Sequence, residues 1–455
     1  MSRNKYILYI ALMVVIVLVI AFGVQVRKLQ KQVPSSVRII PSESKSREED
    51  ELNQNATSRA RPEILVKFRA GVSAEAIDQI TDRFKHQVQD EIEAVPGLIA
   101  IHDPDNGDAE TLAAQYSTLP EVEYAEPNYE ISIDQAGSDA NSARANDPRF
   151  AEQWALSKVN VPEAWTRTKG SSEIVVAVLD SGVEYTHIDL VNNIWTRPAA
   201  VAPYRDRDLG TIDDVHGYNA VANDGDPTDE NGHGTFCAGI IGAECGNNAG
   251  LCGVNWKIQI MPLRFMNAGG FGYVEDAVEA INYAIDRKRA GVNLRVINAS
   301  WGLNQNSRAL EDVIRKAYEA GILFVVASGS TSTNNDTSPR YPAGYSLRNI
   351  ISVAATDKSG ALAQFSNYGA SSVHLAAPGQ DILTTTLGND FGQHSGTSMA
   401  ASMVTGVAVL ALSTRPDLSV DELRSLLFRS VDTLPGLRGK VSTGGRINAA
   451  KALAR

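Results

Sequence analysis

The sequence predicts an α/β protein built on a doubly wound parallel sheet, preceded by a small ferredoxin-like α+β domain and a transmembrane helix. Three observations carry this expectation. Over residues 147–455, short β-branched runs that are apolar on both faces alternate with helical patterns, as the strands of a helix-covered parallel sheet must. Residues 63–133 hold a separate β-α-β-α-β pattern and, with four basic and fifteen acidic side chains, a charge of −11. Residues 6–26 run 21 positions without a charge. The whole chain of 455 residues, 43% hydrophobic and 21% charged, suits a large core; its net charge of −11 speaks against a nucleic-acid partner, and three cysteines are too few for a disulfide scaffold.

At about 1.5 Å per residue the first run is long enough to cross a hydrocarbon core of ~30 Å. Arg27, Lys28 and Lys31 follow it directly, so an uncleaved anchor is preferred. A cleaved signal peptide is the alternative, with Ala21 and Gly23 as small residues near a cut. Arg3 and Lys5 nearly balance the later cations, which leaves the span unoriented by charge. Residues 27–62 are polar, with Pro34, Pro41, Pro62 and an acidic run at 48–51, and read as a flexible tether.

In the α+β domain the pattern places strands at 64–68, 97–101 and 122–124 and helices at 74–84 and 109–116, with room for another strand between 87 and 95. A Ser/Ala/Asn-rich junction over 134–146 separates it from the large unit at 147–455. Strands are expected there at 174–179, 259–262, 296–298, 323–327 and 350–354. One helix is expected to open near His233, and a longer one to run to about Leu412.

Three motifs stand in this unit. Asp180 ends the first strand, at the carboxyl edge where open α/β sheets hold ligands. His233 sits in Asn231-Gly232-His233-Gly234-Thr235 at a glycine-flanked helix start, and Ser398 in Ser395-Gly396-Thr397-Ser398-Met399-Ala400 in the first turn of the long helix. Each alone fits a structural role: a strand-end cap, a buried histidine, an N-cap serine. Their conjunction, in the order Asp, His, Ser with separations of 53 and 165 residues, points instead to a nucleophile, its base and the carboxylate that orients the base.

With these motifs, and with Tyr341-Pro342-Ala343, Phe365-Ser366-Asn367-Tyr368-Gly369 and Ala376-Ala377-Pro378-Gly379, the chain resembles the subtilisin-like serine peptidases, or subtilases, over roughly residues 147–455. Residues 63–133, ending Tyr124-Ala125-Glu126-Pro127-Asn128-Tyr129, resemble the inhibitory propeptide of that family. The resemblance implies a serine endopeptidase made as a zymogen that cuts itself between about Ile133 and Asn146. Its partners are then protein or peptide substrates, its own propeptide as intramolecular inhibitor, and the membrane through residues 6–26. The peptidase unit is expected outside the cytoplasm, single-pass anchored, or secreted if the N-terminal segment is removed.

By the same resemblance Ser398 attacks the carbonyl, His233 carries the proton and Asp180 steadies the imidazolium, while Ser300-Trp301-Gly302 and Gly269-Gly270-Phe271 pair with substrate as added strands. A structural calcium ion is implied on the side chains of Asp189 and Asn247, the backbone oxygens of Ala249 and Leu251, and Asp147. Asp224, Asp226 and Thr228 form either a second calcium site or a solvated turn, and at a third family site His374 replaces the expected Asp. Cys237 reads as a buried small residue, and Cys245 and Cys252 as either a disulfide or two free thiols.

The chain also departs from the family. Ser330 stands where an Asn amide normally donates to the oxyanion, Ser332 replaces a Gly, and Ser402-Met403 replaces Pro-His on the nucleophile helix. Three readings stay open: a peptidase with a weaker or rebuilt oxyanion hole, one shifted toward acyl transfer to amines, and a peptide-binding pseudoenzyme.

Overall fold

A computed structural model describes residues 63–133, 138–139 and 147–454. The expected span at 6–26, the tether at 27–62 and most of the 134–146 junction lie outside the described residues.

The N-terminal described domain is a four-stranded antiparallel sheet carrying two helices. Strands β1 (Glu63–Phe68), β2 (Gln87–Glu91), β3 (Leu98–His102) and β4 (Val122–Pro127) lie in the order β2-β3-β1-β4, with helices α1 (Ala74–Phe84) and α2 (Ala109–Ser117) between them in the chain. Ser73 caps α1 by accepting the Ala76 N–H, and Asp108 caps α2 by accepting that of Thr111. Both faces of the sheet are covered, which is why β1 reads as a continuous apolar run. Ile64, Val66 and Phe68 pack with Ile99, Leu112 and Tyr116 under the helices, while Leu65, Leu98 and Ala100 join the core of the large unit. Strand β2, in the interval left open for one, reads Gln-Val-Gln-Asp-Glu and carries no apolar alternation.

The large unit is a nine-stranded sheet. Strands β6 (Gly170–Asp180), β7 (Lys257–Arg264), β8 (Leu294–Ala299), β9 (Leu323–Ala327), β10 (Ile350–Thr356) and β11 (Leu375–Pro378) run parallel in the order β7-β6-β8-β9-β10-β11. The short strand Tyr218–Asn219 extends one edge, and Gly445–Ile447 with the antiparallel Val431–Thr433 completes the other. On β6, Val176 and Val178 enter one core while Val175, Ala177 and Leu179 enter another. The sheet is therefore buried on both faces, as its β-branched strands require.

Helices α3 (His233–Gly242) and α6 (Thr397–Thr414) cover the first face, and α4 (Val274–Arg289) and α5 (Arg308–Glu319) the second. Among the described residues α6 is the one helix long and apolar enough to cross a membrane, yet 89% of it is buried, so its apolarity is that of a core helix. Strand order reverses at β6, whose successors lie on opposite sides of it, and this opens a crevice at its carboxyl end.

Candidate active site

Asp180 ends β6 at that crevice. Its Oδ1 lies 2.7 Å from Nδ1 of His233 and also accepts the Ser181 N–H at 2.8 Å, and both side chains are wholly buried. The close approach depends on glycine: a Cβ on Gly234 would sit 1.9 Å from the Gly182 carbonyl oxygen, and Gly232 enters α3 at φ +105°.

A residue not singled out from sequence holds the two loops together. The buried Asp229 accepts the Ser181 hydroxyl and the Asn231 and Gly232 N–H groups on Oδ1, and the Thr235 N–H and hydroxyl on Oδ2. Ser181 in turn accepts the Gly234 N–H at 3.0 Å. An Asp two residues before Asn-Gly is an Asx-turn signal that sequence reading can use.

Ser398 occupies the first turn of α6. Its hydroxyl donates to the Ser300 carbonyl at 2.9 Å, and its own carbonyl accepts the hydroxyls of Ser300 at 3.2 Å and Ser402 at 3.0 Å. The positive end of the helix favours negative charge beside it. Ser330 is tied to the same helix start: its Oγ accepts the Thr397 N–H at 3.1 Å and lies 3.2 Å from Thr397 Oγ1. Asn334 accepts the Asp336 N–H on its Oδ1. Asn367 clamps the loop through its Oδ1, which accepts the Thr331 and Thr333 N–H groups and the Thr331 hydroxyl.

The crevice is filled by the domain's own tail. Strand β5 (Glu130–Ile133) pairs antiparallel with Phe271–Tyr273 on one side and Trp301–Gly302 on the other, setting Ser132 opposite both Phe271 and Gly302 and Ile133 opposite Trp301. Gly270 touches this strand through its carbonyl, which accepts the Ile133 N–H, while Gly269 lies in the preceding turn and Ser300 just before the paired segment. Asn267 draws these glycines into a turn by accepting the Gly269 N–H, and strand pairing begins only at Phe271. Trp301 is a core side chain, its indole donating to the Leu179 carbonyl. Beyond the crevice Ser138–Asp139 pair with Asp390–His394.

The same tail is pinned to helix starts of the large unit. Glu126 accepts the Ser307 hydroxyl at 2.6 Å and the Arg308 and Ala309 N–H groups at 2.9 and 3.1 Å, and Asn128 accepts the Glu275 N–H at 3.0 Å.

Cys237 lies beneath the histidine, its Sγ, an Asp180 oxygen and a His233 ring nitrogen within 4.8 Å of one another. Burial, with the Asp180 charge adding, pushes this thiol up, so it stays protonated. Cys245 and Cys252 form a disulfide, closing the loop that carries Asn247, Ala249 and Leu251.

That loop wraps the fully buried Asp189, which accepts the Asn247 amide at 2.8 Å and the Leu251 N–H at 2.8 Å, while the Ala249 N–H donates to Asn247. A carboxylate and a carboxamide brought together there offer oxygen donors of the type a hard cation takes, with the Asn247 oxygen here turned to the Ala249 N–H. The side chain of Asp147 lies outside the described residues. Asp224, Asp226 and Thr228 form a self-bonded turn, with Asp226 accepting the Thr228 hydroxyl and N–H. His374 accepts the Ser352 N–H and meets Arg424, and burial, with the Arg424 charge adding, pushes it down to about 3.

The family model described as "Subtilase family" matches residues 171–445, and that described as "Fervidolysin N-terminal prodomain" matches residues 53–128. A thermophilic serine proteinase of Bacillus sp. (strain AK1) is 33% identical over 398 residues, covering 86% of this chain and 87% of that one. Thermitase of Thermoactinomyces vulgaris is 34% identical over 309 residues, covering 68% of this chain and 98% of its own. The crystal structure of fervidolysin from Fervidobacterium pennivorans, a keratinolytic enzyme related to subtilisin, matches with a TM-score of 0.70 at 24% identity, over 88% of this chain and 61% of that one.

Proposed function

This chain belongs to the subtilase family and is a subtilisin-like serine protease with a prodomain, and from that premise we propose that Asp180, His233 and Ser398 act as its triad in a self-processing endopeptidase. His233 takes the Ser398 proton and returns it to the leaving amine, while Asp180 holds the ring and steadies its charge. The observation that carries this reading is strand β5, which lies antiparallel between Phe271–Tyr273 and Trp301–Gly302 and leads toward Ser300, whose carbonyl accepts the Ser398 hydroxyl. It has the form of a product strand left in the cleft after a cut, and of an inhibitor that keeps other peptides out.

In this reading the zymogen cuts within one or two residues of Ile133, since the register ends with that residue opposite Trp301, one position short of Ser300. The oxyanion hole is weaker than the family's, because Ser330 is held on Thr397 and the Ser398 N–H with the helix start carries the developing charge. Asp189 and the disulfide-closed loop hold a structural calcium ion, which supplies rigidity rather than chemistry. The β-α-β-β-α-β order of the prodomain supports a ferredoxin-like description, and residues 6–26 anchor the unit to a membrane with its catalytic part outside the cytoplasm. The engagement of Ser330 also favours a second reading, a peptide-binding pseudoenzyme that retains its prodomain.

Incubating the purified full chain and mapping its N-termini separates the two. The peptidase reading expects a new N-terminus just beyond Ile133 that Ser398→Ala abolishes. A folded, unsubstituted chain that stays full-length supports the pseudoenzyme. Product analysis with an added amine detects any shift toward acyl transfer.

A further inference from the structure

The crevice holds a basic side chain that the triad does not use. Arg340 stands just before Tyr341, whose backbone is clamped to Leu303: the Leu303 N–H donates to the Tyr341 carbonyl at 2.9 Å, and the Tyr341 N–H to the Leu303 carbonyl at 2.8 Å. From that anchor the half-buried side chain runs between two glycines. A Cβ on Gly302 would lie 2.8 Å from Nε and 3.2 Å from Cγ of Arg340, and one on Gly329 would lie 2.9 Å from Cδ. Gly302 belongs to the segment that pairs with strand β5, and Gly329 directly precedes Ser330, which is tied to the start of α6. Arg340 therefore occupies a slot between the peptide-pairing edge and the loop that carries Ser330. A side chain at either glycine would displace it.

Two hydrogen bonds fix the guanidinium there. Nη2 donates to the Gly302 carbonyl at 2.9 Å and Nη1 to Oδ1 of Asn304 at 3.2 Å, and neither acceptor carries a charge. A planar, permanently charged fork of donors takes a carboxylate better than any neutral side chain. The strand register says which substrate position meets it. Ser132 pairs with Gly302 and Ile133 with Trp301, so the next residue of a peptide in the cleft falls opposite Ser300, whose carbonyl accepts the Ser398 hydroxyl. Ile131 is fully buried in the core of the large unit and pins this register against a slip. The residue opposite Ser300 is the one whose carbonyl Ser398 attacks. In this chain's own sequence it is Asp134, which lies outside the described residues.

We propose that Arg340 sets the primary specificity of the site, selecting peptides with an aspartate or glutamate on the acyl side of the cut bond, and that self-processing uses Asp134 in that role. The inference rests on the peptidase reading and adds a substrate class to it. An apolar side chain in the slot would strip water from the guanidinium without offering it a partner, so such peptides are disfavoured.

Two measurements test it. In the first, the self-processed protein, freed of its prodomain, hydrolyses fluorogenic peptides that carry Glu-Ile-Ser-Ile, as in residues 130–133, and differ only in the residue that follows. kcat/KM is expected to be about tenfold or more higher for Asp than for Asn and for Glu than for Gln, because the amide leaves the charge unanswered. Arg340→Lys keeps part of this preference, and Arg340→Met loses it while gaining on Phe. An unsubstituted enzyme that cuts the Phe or Lys peptide faster than the Asp peptide, or an Arg340→Met enzyme that keeps the full acidic preference, overturns the proposal and leaves the peptidase reading standing. The second measurement needs no catalysis. In the full-length chain carrying Ser398→Ala, Asp134→Asn is expected to lower the melting temperature when Arg340 is present and to leave it unchanged in Arg340→Met. Equal shifts in the two folded backgrounds overturn the pairing. A chain that makes no cut at all sinks the peptidase reading instead, and the melting cycle then decides by itself whether Arg340 holds an acidic side chain.

Discussion

Replacing Ser330 by Asn tests how the charge on the tetrahedral intermediate is held. The serine hydroxyl is one bond from Cβ and is engaged with Thr397, accepting its N–H at 3.1 Å. An Asn amide nitrogen stands two bonds from Cβ, about one bond length further into the crevice. Loss of one oxyanion donor costs about 10²–10³ in kcat, or roughly 2.7–4 kcal/mol, a magnitude measured in a subtilisin. Part of that gain is offset if the loop must shift to aim the amide, so Ser330→Asn is expected to raise kcat at least tenfold. The new bond forms mainly in the transition state, so KM should change little. The variant also gives up the cap on the Thr397 N–H, which lowers stability by about 1 kcal/mol. Steady-state hydrolysis of a chromogenic peptide gives kcat and KM, and a thermal melt gives the stability change. An unchanged or lower kcat in a folded variant refutes the reasoning and means that another donor already serves the oxyanion.

Three further outcomes follow from the same structure. Glu126→Ala removes three hydrogen bonds from a carboxylate at the start of α5, so the cleaved prodomain should leave about 30- to 150-fold more readily, equivalent to about 2–3 kcal/mol, as read by gel filtration after processing. Calcium should raise the melting temperature, and Asp189→Ala should abolish most of that rise; a melt indifferent to chelator contradicts the assignment. His374 is held near 3 in the fold, far below the 6.5 of an exposed imidazole, so the unfolded chain binds the proton first as pH falls. Its contribution is therefore intact above 6.5 and lost by about 1.4 kcal/mol per pH unit between 6.5 and about 3, and His374→Gln should flatten acid unfolding across that window.

The parallel sheet is legible in the sequence because strands buried on both faces must be apolar throughout, as Val175–Leu179 and Leu323–Ala327 are. Strands with polar sequence are not legible. Gln87–Glu91 is held by its neighbour in the sheet, and Tyr218–Asn219 is too short to show a period. At the site, Asp180 and His233 announce themselves because each lies beside a glycine whose positive φ the turn requires, and Ser398 because it opens a long apolar helix. Asp229 is harder to see, since it acts through backbone N–H groups that any sequence supplies. Three carboxylates that meet between the prodomain and the large unit are hidden for a different reason. Asp90, Asp206 and Glu279 are far apart in the chain, and Asp90 reaches the other two only across the seam with the prodomain.

The central claim is that Ser398 is an activated nucleophile served by His233 and Asp180. Reaction of the processed protein with a fluorophosphonate, followed by peptide mass mapping, reads this directly. The account predicts rapid, stoichiometric labelling of Ser398 alone, slowed by orders of magnitude in His233→Ala and less severely in Asp180→Asn. A folded protein in which Ser398 reacts no faster than an ordinary surface serine, or in which His233→Ala leaves the rate unchanged, contradicts it.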